Sequence, residues 1–336
     1  MKHLVYIGNK LESRGGAPTS IDILPHLLRK EGVEVSTASS RKNKILRLFE
    51  MQLLLFSKAR RADLVLIDTY STQNFWYAVI SSRVCRLLKL PYILFLHGGN
   101  LGERLQRNPR VSKNLFGNSR CNIVPSEFLL EKFRRKGIRN LRHIPNSIAL
   151  ADYLYQERSY LRPKLLWVRS FSEVYNPLLA IKVLEKLKEK YKEAELCMVG
   201  PAKDGSLQVC KQYVQKKGLP VSFPGKLSKE EWLHLSRHYD LFLNTTNIDN
   251  TPVSVLEAMA LGLPVVSTEV GGMPYLLRNR KEGLLVPPND ETAMLNAIET
   301  LLANPAIAQD MSAKAREKVE NFDWYKVKQQ WLELLR

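Results

Sequence analysis

Short apolar runs alternate with longer amphipathic segments along the first half of the chain. We predict β-strands at the runs and helices at the amphipathic segments, because surface helices repeat apolar residues every three to four positions. The predicted strands are 4–7, 33–37, 64–67, 92–96, 122–124 and 141–144, and the predicted helices are near 18–30, 44–59, 73–88 and 127–136. Strands that alternate with helices of this length form βαβ units, so the first half predicts a parallel sheet.

The second half repeats this layout without repeating the sequence. Its predicted strands are 165–168, 196–199, 221–223, 241–243, 265–267 and 284–286. A polar, irregular stretch at 150–163 separates the two series and predicts the linker. We therefore predict two doubly wound α/β domains, 1–155 and 156–320, followed by a C-terminal helix at 321–336. Because ligands of such sheets bind at the carboxyl ends of the strands, we expect the two domains to face a central crevice.

The composition is that of an ordinary globular chain. Of the 336 residues 45% are hydrophobic and 25% are charged, which excludes a disordered or fibrous protein. The four cysteines form no CxxC pair, so neither a zinc ribbon nor a disulfide framework is indicated. Apolar stretches fall far short of the roughly 18 residues that a membrane span needs, and no signal-peptide pattern precedes the first strand. We expect a cytoplasmic protein.

Positive charge is concentrated in the first 150 residues. They contain 26 Lys and Arg against 10 Asp and Glu, whereas the remainder contains 25 against 23. A one-sided basic excess indicates a polyanionic partner for that half of the chain. Nucleic acid and an anionic membrane surface are the two candidates.

Residues 41–61 form a basic amphipathic helix pattern with cations at both ends. Such a helix can lie in an anionic membrane interface. Taken alone, however, the pattern favours a helix that faces the core and has solvated charged ends. The apolar residues that share one side are Ile45, Leu46, Phe49, Leu53 and Phe56, and a second basic cluster comprises Lys132, Arg134, Arg135, Lys136, Arg139 and Arg142.

Two features of the first half are candidates for ligand binding. Gly15-Gly16 lies between the first strand and its helix, where glycines allow a ligand to approach the backbone. An ordinary turn explains the pair equally well, and it is not a dinucleotide-binding GxGxxG motif. His97 ends the fourth strand and precedes two glycines, so it is placed either to donate to a sugar hydroxyl or phosphate, or to be satisfied within a loop.

The segment 244–272 carries the most specific pattern. Asp249 follows a strand, and Glu257 comes after seven intervening residues, about one turn into the next helix. Pro252 suits the first helical turn. The backbone amides of residues 253–255 would then be free to hold a diphosphate, and the carboxylate beyond them can accept both hydroxyls of a ribose.

This segment resembles the donor-site motif of glycosyltransferase family 4, in which Glu-x7-Glu is followed by Ala-Met-Ala-x-Gly-x-Pro-Val-Val. Residues 257–266 match it throughout, while Asp249 stands where the first Glu is usual. The segments 270–274, 283–290 and 322–324 are also similar to the family, as are Gly15-Gly16, His97 and 144–146. The resemblance implies the GT-B fold of two Rossmann-like domains, with a C-terminal helix that returns to the first domain.

The resemblance implies a retaining glycosyltransferase that needs no cofactor and no metal ion and takes a hexose-type sugar from a UDP-sugar or GDP-sugar. The missing Asp-x-Asp motif agrees with metal independence, and His234 and His238 lack the acid of a zinc motif. It implies catalytic roles for His97, Arg169 and Asp249. Together with the residues themselves, it leads us to expect donor binding by Gly15, Gly16, Arg169, Asn176, Lys226, Thr251, Pro252, Val253, Ser254 and Glu257.

One departure from the family concerns the donor diphosphate. The family has a Lys about five residues after the Arg that corresponds to Arg169, and here none follows. Either a neighbouring cation such as Lys226 replaces it, turnover is weak, or catalysis has been lost.

Three functions therefore remain open. The first is sugar transfer to a glycolipid, oligosaccharide or polysaccharide-precursor acceptor, as in lipopolysaccharide synthesis, by a peripheral protein on the inner face of an anionic membrane. The second is an inactive GT-B scaffold. The third is a basic nucleic-acid-binding protein, although no nucleic-acid-binding motif is present and we expect no nucleic-acid partner.

Overall fold

The computed structural model describes residues 3–10 and 19–335. The chain divides into two compact units. Unit 1 comprises Met1–Pro145 and Lys328–Arg336, and unit 2 comprises Asn146–Val327. Both are α/β units built on a six-stranded parallel sheet, as the strand and helix patterns predict.

Unit 1 orders its strands β2-β1-β3-β4-β5-β6. Its elements are β1 (His3–Ile7), α1 (Ser20–Lys30), β2 (Glu34–Ala38), α2 (Lys44–Lys58), β3 (Leu64–Tyr70), α3 (Phe75–Leu87), β4 (Tyr92–His97), α4 (Leu101–Arg107), α5 (Pro109–Gly117), β5 (Cys121–Val124), α6 (Glu127–Arg134) and β6 (Leu141–His143). The direction of the strand order reverses between β1 and β3, which places the switch point of this sheet there.

Helices cover both faces of the unit 1 sheet. One face forms a single core with α2 to α6, to which Met51 of α2 and Phe133 of α6 contribute. The other face carries Phe95, whose ring lies 5.4 Å from that of Trp331. Because both faces of the sheet are covered, the sequences of its strands are nearly continuous apolar runs.

Unit 2 orders its strands β12-β11-β10-β7-β8-β9. Its elements are β7 (Lys164–Val168), α7 (Pro177–Lys190), β8 (Glu195–Val199), α8 (Ser206–Lys217), β9 (Val221–Gly225), α9 (Lys229–Ser236), β10 (Leu241–Asn244), α10 (Val253–Ala260), β11 (Val265–Thr268), α11 (Met273–Leu276), β12 (Leu284–Val286), α12 (Glu291–Ala303), α13 (Pro305–Val319) and α14 (Trp324–Leu335). Short 3-10 helices occupy Leu150–Asp152, Glu173–Tyr175 and Glu320–Phe322.

The units divide at Pro145, so the predicted boundary at 155 lies inside unit 2. Residues after Pro145 join unit 2 because the Ile148 amide bonds to the carbonyl of Phe322. Helix α14 begins in unit 2, and from Lys328 onward its residues belong to unit 1. Each predicted strand overlaps an observed one, whereas α4 and α5 were not predicted, because polar residues interrupt their apolar pattern.

Helix α2 corrects the core-facing interpretation of residues 41–61. It buries Arg47, Met51 and Leu55, whereas the five apolar residues that share its other side are exposed. The Arg47 guanidinium is satisfied in the interior by the carbonyl of Arg41 and the side chain of Asn9. The helix has two apolar sides, and the sequence pattern does not show which of them meets the core.

Candidate functional site

The strand order of unit 2 reverses between β7 and β10, so their carboxyl ends form the switch point at which doubly wound sheets bind ligands. Arg169 directly follows β7, and the loop that carries Asp249 follows β10. A carboxylate oxygen of Asp249 accepts a hydrogen bond from the Arg169 guanidinium. Both side chains are largely buried, being 17% and 13% exposed.

Hydrogen bonds to the turn at Glu173–Tyr175 hold the Asp249 loop in place. The Thr245 hydroxyl donates to the carbonyl of Tyr175 at 2.8 Å, and the Asn247 amide donates to the carbonyl of Val174 at 2.8 Å. The Arg169 guanidinium lies 4.2 Å from the centre of the Tyr175 ring. These contacts attach both members of the Arg169–Asp249 pair to the turn at Glu173–Tyr175.

Three glycines allow backbone segments to meet around this pair. A Cβ on Gly272 would lie 1.8 Å from the carbonyl oxygen of Asn250, and one on Gly271 would lie 2.1 Å from that of Asp249. A Cβ on Gly200 would lie 1.8 Å from the carbonyl oxygen of Arg169. Gly271-Gly272, which the family pattern includes, is therefore required for the position of the Asp249 loop.

Helix α10 presents its N-terminus at the same edge of the sheet. Pro252 is the N-cap residue rather than part of the first turn. Within the described residues, the amides of Val253 and Ser254 form no hydrogen bond, but the Val255 amide donates to the carbonyl of Pro252 at 3.1 Å. Two of the three predicted free amides are therefore available to an anion.

Two buried polar atoms at this edge have no hydrogen-bond partner within the described residues. They are the Ser254 hydroxyl and the Nε of Arg169. Buried polar groups are normally satisfied, because an unmade hydrogen bond costs about 1–3 kcal/mol. Orphaned donors beside free amides fit an anionic, oxygen-rich ligand.

Glu257 lies one turn into α10, where Tyr153 and Lys229 engage a single one of its oxygens. The Tyr153 hydroxyl donates to Oε1 at 2.6 Å, and the Lys229 ammonium lies 2.8 Å from the same atom. Within the described residues, Oε2 accepts no hydrogen bond. Burial raises the pKa of Glu257 above its usual range, while the Lys229 charge opposes this shift.

Three other expected donor-binding residues of unit 2 lie before a helix or after a strand. Asn176 is the left-handed N-cap of α7, and its amide donates to Asn289 at 2.8 Å. Thr251 is buried beside the N-cap of α10, and Lys226 is exposed immediately after the edge strand β9. Within the described residues, the Asn176 side chain forms no hydrogen bond with that of Arg169, Asp249 or Glu257.

Lys203, which the sequence did not single out, is the second cation near Tyr175. It follows β8, the neighbour of β7, and its ammonium lies 6.0 Å from the centre of the Tyr175 ring. Burial favours the neutral phenol, but the charges of Arg169 and Lys203 outweigh it and lower the pKa of Tyr175. Two cations therefore share one aromatic side chain at the switch point.

In unit 1, His97 forms part of a buried polar cluster at the carboxyl ends of β3 and β4. Its Nε2 lies 2.7 Å from Asp68 Oδ1, which also accepts the Tyr6 hydroxyl at 2.7 Å. Oδ2 accepts the Tyr70 hydroxyl at 3.1 Å. Burial and the Asp68 charge raise the pKa of both phenols, so they remain donors.

Asp68 is not among the residues predicted from the sequence, although a charged residue near the end of an apolar strand is itself a signal. The expected glycine loop, Gly15-Gly16, lies outside the described residues. Among the described residues, no group of three or more His, Cys, Asp or Glu side chains could hold a metal ion. His234 and His238 are exposed on and just after α9.

Comparison with known proteins relates unit 2 to sugar transfer. Residues 158–318 match the family model described as glycosyl transferases group 1. The sulfoquinovosyl transferase SQD2 of Arabidopsis thaliana is 29% identical over 150 residues, which are 43% of this chain and 28% of that protein. The chain thus spans less than a third of the length of this curated relative.

Solved structures match the whole chain. A sucrose-phosphate synthase of Thermosynechococcus elongatus has a TM-score of 0.83 at 18% identity, covering 99% of this chain and 98% of that chain. HepE of Anabaena in complex with UDP-glucose has a TM-score of 0.78 at 18% identity, covering 100% and 99%. The chain therefore has the GT-B fold of two Rossmann-like units, and the match of residues 158–318 to the glycosyl transferases group 1 model supports a transferase enzyme.

Proposed function

We propose that the chain is a retaining glycosyltransferase that moves a hexose-type sugar from a UDP-sugar or GDP-sugar to a membrane-associated glycolipid or polysaccharide-precursor acceptor. The observation that carries the proposal is the juxtaposition, in unit 2, of free α10 amides, Glu257 and the Arg169–Asp249 pair at the switch point. The HepE neighbour, which holds UDP-glucose, supports a nucleotide-sugar donor.

The donor diphosphate binds at the N-terminus of α10. The amides of Val253 and Ser254 donate to its oxygens, and the positive end of the helix dipole adds to the attraction. Ser254 Oγ and Arg169 Nε, which are orphaned in the free protein, gain acceptors. Arg169 therefore reaches the diphosphate while one of its other nitrogens keeps the bond to Asp249.

Glu257 holds the ribose. Its Oε2 faces no donor of the described residues, and Lys229 and Tyr153 fix the carboxylate through Oε1. A ribose hydroxyl pair supplies the missing donors, which matches the requirement that buried polar groups be paired.

Negative charge develops on the leaving diphosphate during transfer, and cations and amides stabilise it without a metal ion. Arg169 and the α10 amides are the first groups that stabilise this charge. Lys203 or Lys226 supplies the second cation, which in the family is the Lys that follows the Arg. Asp249 accepts a hydroxyl of the donor sugar. Retention of the anomeric configuration rests on the family resemblance.

The acceptor belongs to unit 1 in this proposal. His97 bonds an acceptor hydroxyl through Nδ1, because its Nε2 already bonds Asp68, which orients the ring. The excess of cations in the first 150 residues favours an acceptor at an anionic membrane surface, on the cytoplasmic face. Among the described residues, no helix is both long and apolar enough to cross a bilayer.

Glu257→Ala tests the donor site. Removing the carboxylate leaves the ribose hydroxyls and Tyr153 unpaired, so we expect a loss of about 2–4 kcal/mol in transition-state binding. Isothermal titration with UDP and GDP, together with turnover of the matching sugar donors, measures this loss. Glu230→Ala, an exposed acid of α9, is the matched control and should behave as wild type.

The same titration has a defined pH dependence. Protonation of Glu257 removes the ribose acceptor, and the raised pKa of this carboxyl means that affinity falls at a higher pH than it would for an exposed glutamate. Near-normal affinity and turnover in Glu257→Ala would contradict the assignment. Nucleotide binding without any transfer would favour the inactive scaffold, and binding of RNA without nucleotide sugar would favour the nucleic-acid function.

A further inference from the structure

Helix α2 of unit 1 exposes a row of large apolar side chains, which we term the apolar patch. Its members are Ile45, Leu46, Phe49, Leu53 and Phe56, with exposed fractions of 77%, 56%, 67%, 57% and 53%. At 100° per residue, they lie on one side of the helix. Scattered exposed hydrophobic residues are normal on soluble proteins, whereas a contiguous row marks an interaction site.

The exposure of this patch is not a sign that α2 is loosely attached. The opposite side of the helix places Met51 and Leu55, both fully buried, in the core of unit 1. The Tyr77 hydroxyl donates to the carbonyl of Lys44 at 3.1 Å, and Gln52 donates to Ser81 at 3.0 Å. Helix α2 therefore packs one side into the core of unit 1 and exposes the other.

Cations flank the apolar patch at both ends of α2. The single acid in 41–61 is Glu50, and its Oε2 lies 3.6 Å from Arg41 Nε. The cations that flank the patch are Arg41, Lys42 and Lys44 at the N-terminal end and Lys58, Arg60 and Arg61 at the C-terminal end. The partner must therefore accept apolar side chains and positive charge together.

The neighbouring helix α3 extends this surface. Trp76, Arg83 and Leu87 are spaced seven and four residues apart, so they share one side of α3, and all three are exposed. Between α3 and α5 lies a groove of about 320 Å³, lined by Arg83, Arg86 and Arg110 among others. Within the described residues, the guanidinium groups of these three arginines form no ion pair or hydrogen bond.

We propose that α2 docks unit 1 on a lipid bilayer that contains anionic lipids, with the apolar patch inserted at the boundary of headgroups and acyl chains. The cations at its ends and the arginines of the groove contact the headgroup phosphates. This proposal rests on the proposed function and deepens it, because it names the surface of unit 1 that meets the membrane carrying the acceptor. Fifteen residues make α2 about 22 Å long, which is too short to cross a bilayer core of roughly 30 Å. Because one side of the helix is buried in the core of unit 1, α2 lies in the membrane plane.

Two other occupants fit less well. A second copy of this chain would bring the same cations against one another, which disfavours self-association through this face. A nucleic acid would satisfy the charge but would leave Phe49, Leu53 and Phe56 in water. Both remain outcomes of the experiment.

The test is co-sedimentation of the full chain with vesicles of phosphatidylcholine, with and without about one third phosphatidylglycerol. We expect binding that needs the anionic lipid and falls with added salt. The double variant Phe49→Glu with Leu53→Glu should lower the partition coefficient at least tenfold. The matched control, Val209→Glu with Ile307→Glu, changes two residues of unit 2 that are 50% and 49% exposed, and should change binding less than twofold.

The arginine groove is tested separately. Neutralising Arg83, Arg86 and Arg110 to Gln should weaken binding by about fivefold for each charge removed, because a cation near an anionic leaflet contributes about 1 kcal/mol.

Stabilisation of each variant by UDP in a thermal-shift assay separates this proposal from the proposed function. Unchanged vesicle binding by Phe49→Glu with Leu53→Glu, with UDP stabilisation intact, would overturn the docking site alone. Failure of both UDP and GDP to stabilise any variant or the wild type would instead count against the donor site. Equal binding to neutral vesicles, binding to neither, or a dimer in sedimentation velocity that the double variant abolishes would each overturn docking on anionic lipid.

Discussion

The two units have the same architecture and use charge in opposite ways. Unit 2 pairs its charges at the sheet edge, where Arg169 contacts Asp249 and Lys229 contacts Glu257. Unit 1 carries most of the net positive charge, and Arg83, Arg86 and Arg110 point to a groove rather than to acids. Paired charges with free amides suit a small diphosphate ligand, whereas unpaired surface cations suit an extended anionic surface.

The units also differ in how they hold their polar residues in place. In unit 2 the backbone does so, because Gly200, Gly271 and Gly272 let chain segments approach more closely than any Cβ allows. In unit 1 side chains do so, because Tyr6, Tyr70 and His97 converge on the buried carboxylate of Asp68. Substitutions at a glycine of unit 2 and at Asp68 of unit 1 therefore test the backbone contacts and the side-chain hydrogen bonds separately.

The largest effect is expected for Gly272→Ala. Its Cβ would lie 1.8 Å from the carbonyl oxygen of Asn250, and the three nearest atoms all belong to the backbone of Asn250, so the Asp249 loop must move. We expect a destabilisation of about 3 kcal/mol, at the upper end for overpacking, and loss of stabilisation by UDP. Urea unfolding and thermal shift measure these two quantities.

Gly205→Ala is the matched control, because a Cβ there meets nothing within 4 Å. It should leave both quantities near wild type. If Gly272→Ala bound UDP normally, the backbone contact would not be what positions the donor loop.

A smaller effect is expected for Asp68→Asn in unit 1. The amide cannot accept all three donors that the carboxylate accepts, so we expect unfolding to become easier by about 1–3 kcal/mol. Sugar transfer should slow while UDP affinity, which depends on unit 2, stays unchanged. Asp63→Asn, an exposed acid just before β3, is the control. A loss of UDP affinity in Asp68→Asn would show that the two units do not divide these tasks.

The sequence predicted local features well and long-range partners poorly. The strand pattern located the sheet of each unit, and the motif around Glu257 placed that residue one turn into α10, where it is observed. Tyr153 was missed because it meets Glu257 from 104 residues away in the chain. Asp68 was missed because its role depends on three donors from β1, β3 and β4.

The exposed side of α2 shows a second limit of pattern reasoning. Apolar residues occupy both sides of this helix, and Arg47, the residue that polarity would place outside, is buried through bonds to Asn9 and to the carbonyl of Arg41. Periodicity identifies an amphipathic helix, but only the surrounding packing decides which side meets the core.

The smallest expected effect identifies the cation that replaces the family Lys in unit 2. Lys203 lies 6.0 Å from the Tyr175 ring, which Arg169 also contacts at 4.2 Å, whereas Lys226 follows the edge strand β9. An exposed cation near a diphosphate contributes about 1 kcal/mol, so Lys203→Met should weaken UDP binding about fivefold. Lys226→Met should weaken it less than twofold.

Nucleotides of different charge sharpen this comparison. If Lys203 contacts the phosphate farther from the ribose, its loss should reduce the affinity for UDP and leave that for UMP nearly unchanged. Isothermal titration of both variants with both nucleotides gives the four values needed. A larger loss of UDP affinity in Lys226→Met than in Lys203→Met would assign the replacement to Lys226. Equal, negligible losses would show that Arg169 and the α10 amides hold the diphosphate without a second cation, as expected if unit 2 binds small anions mainly through its backbone.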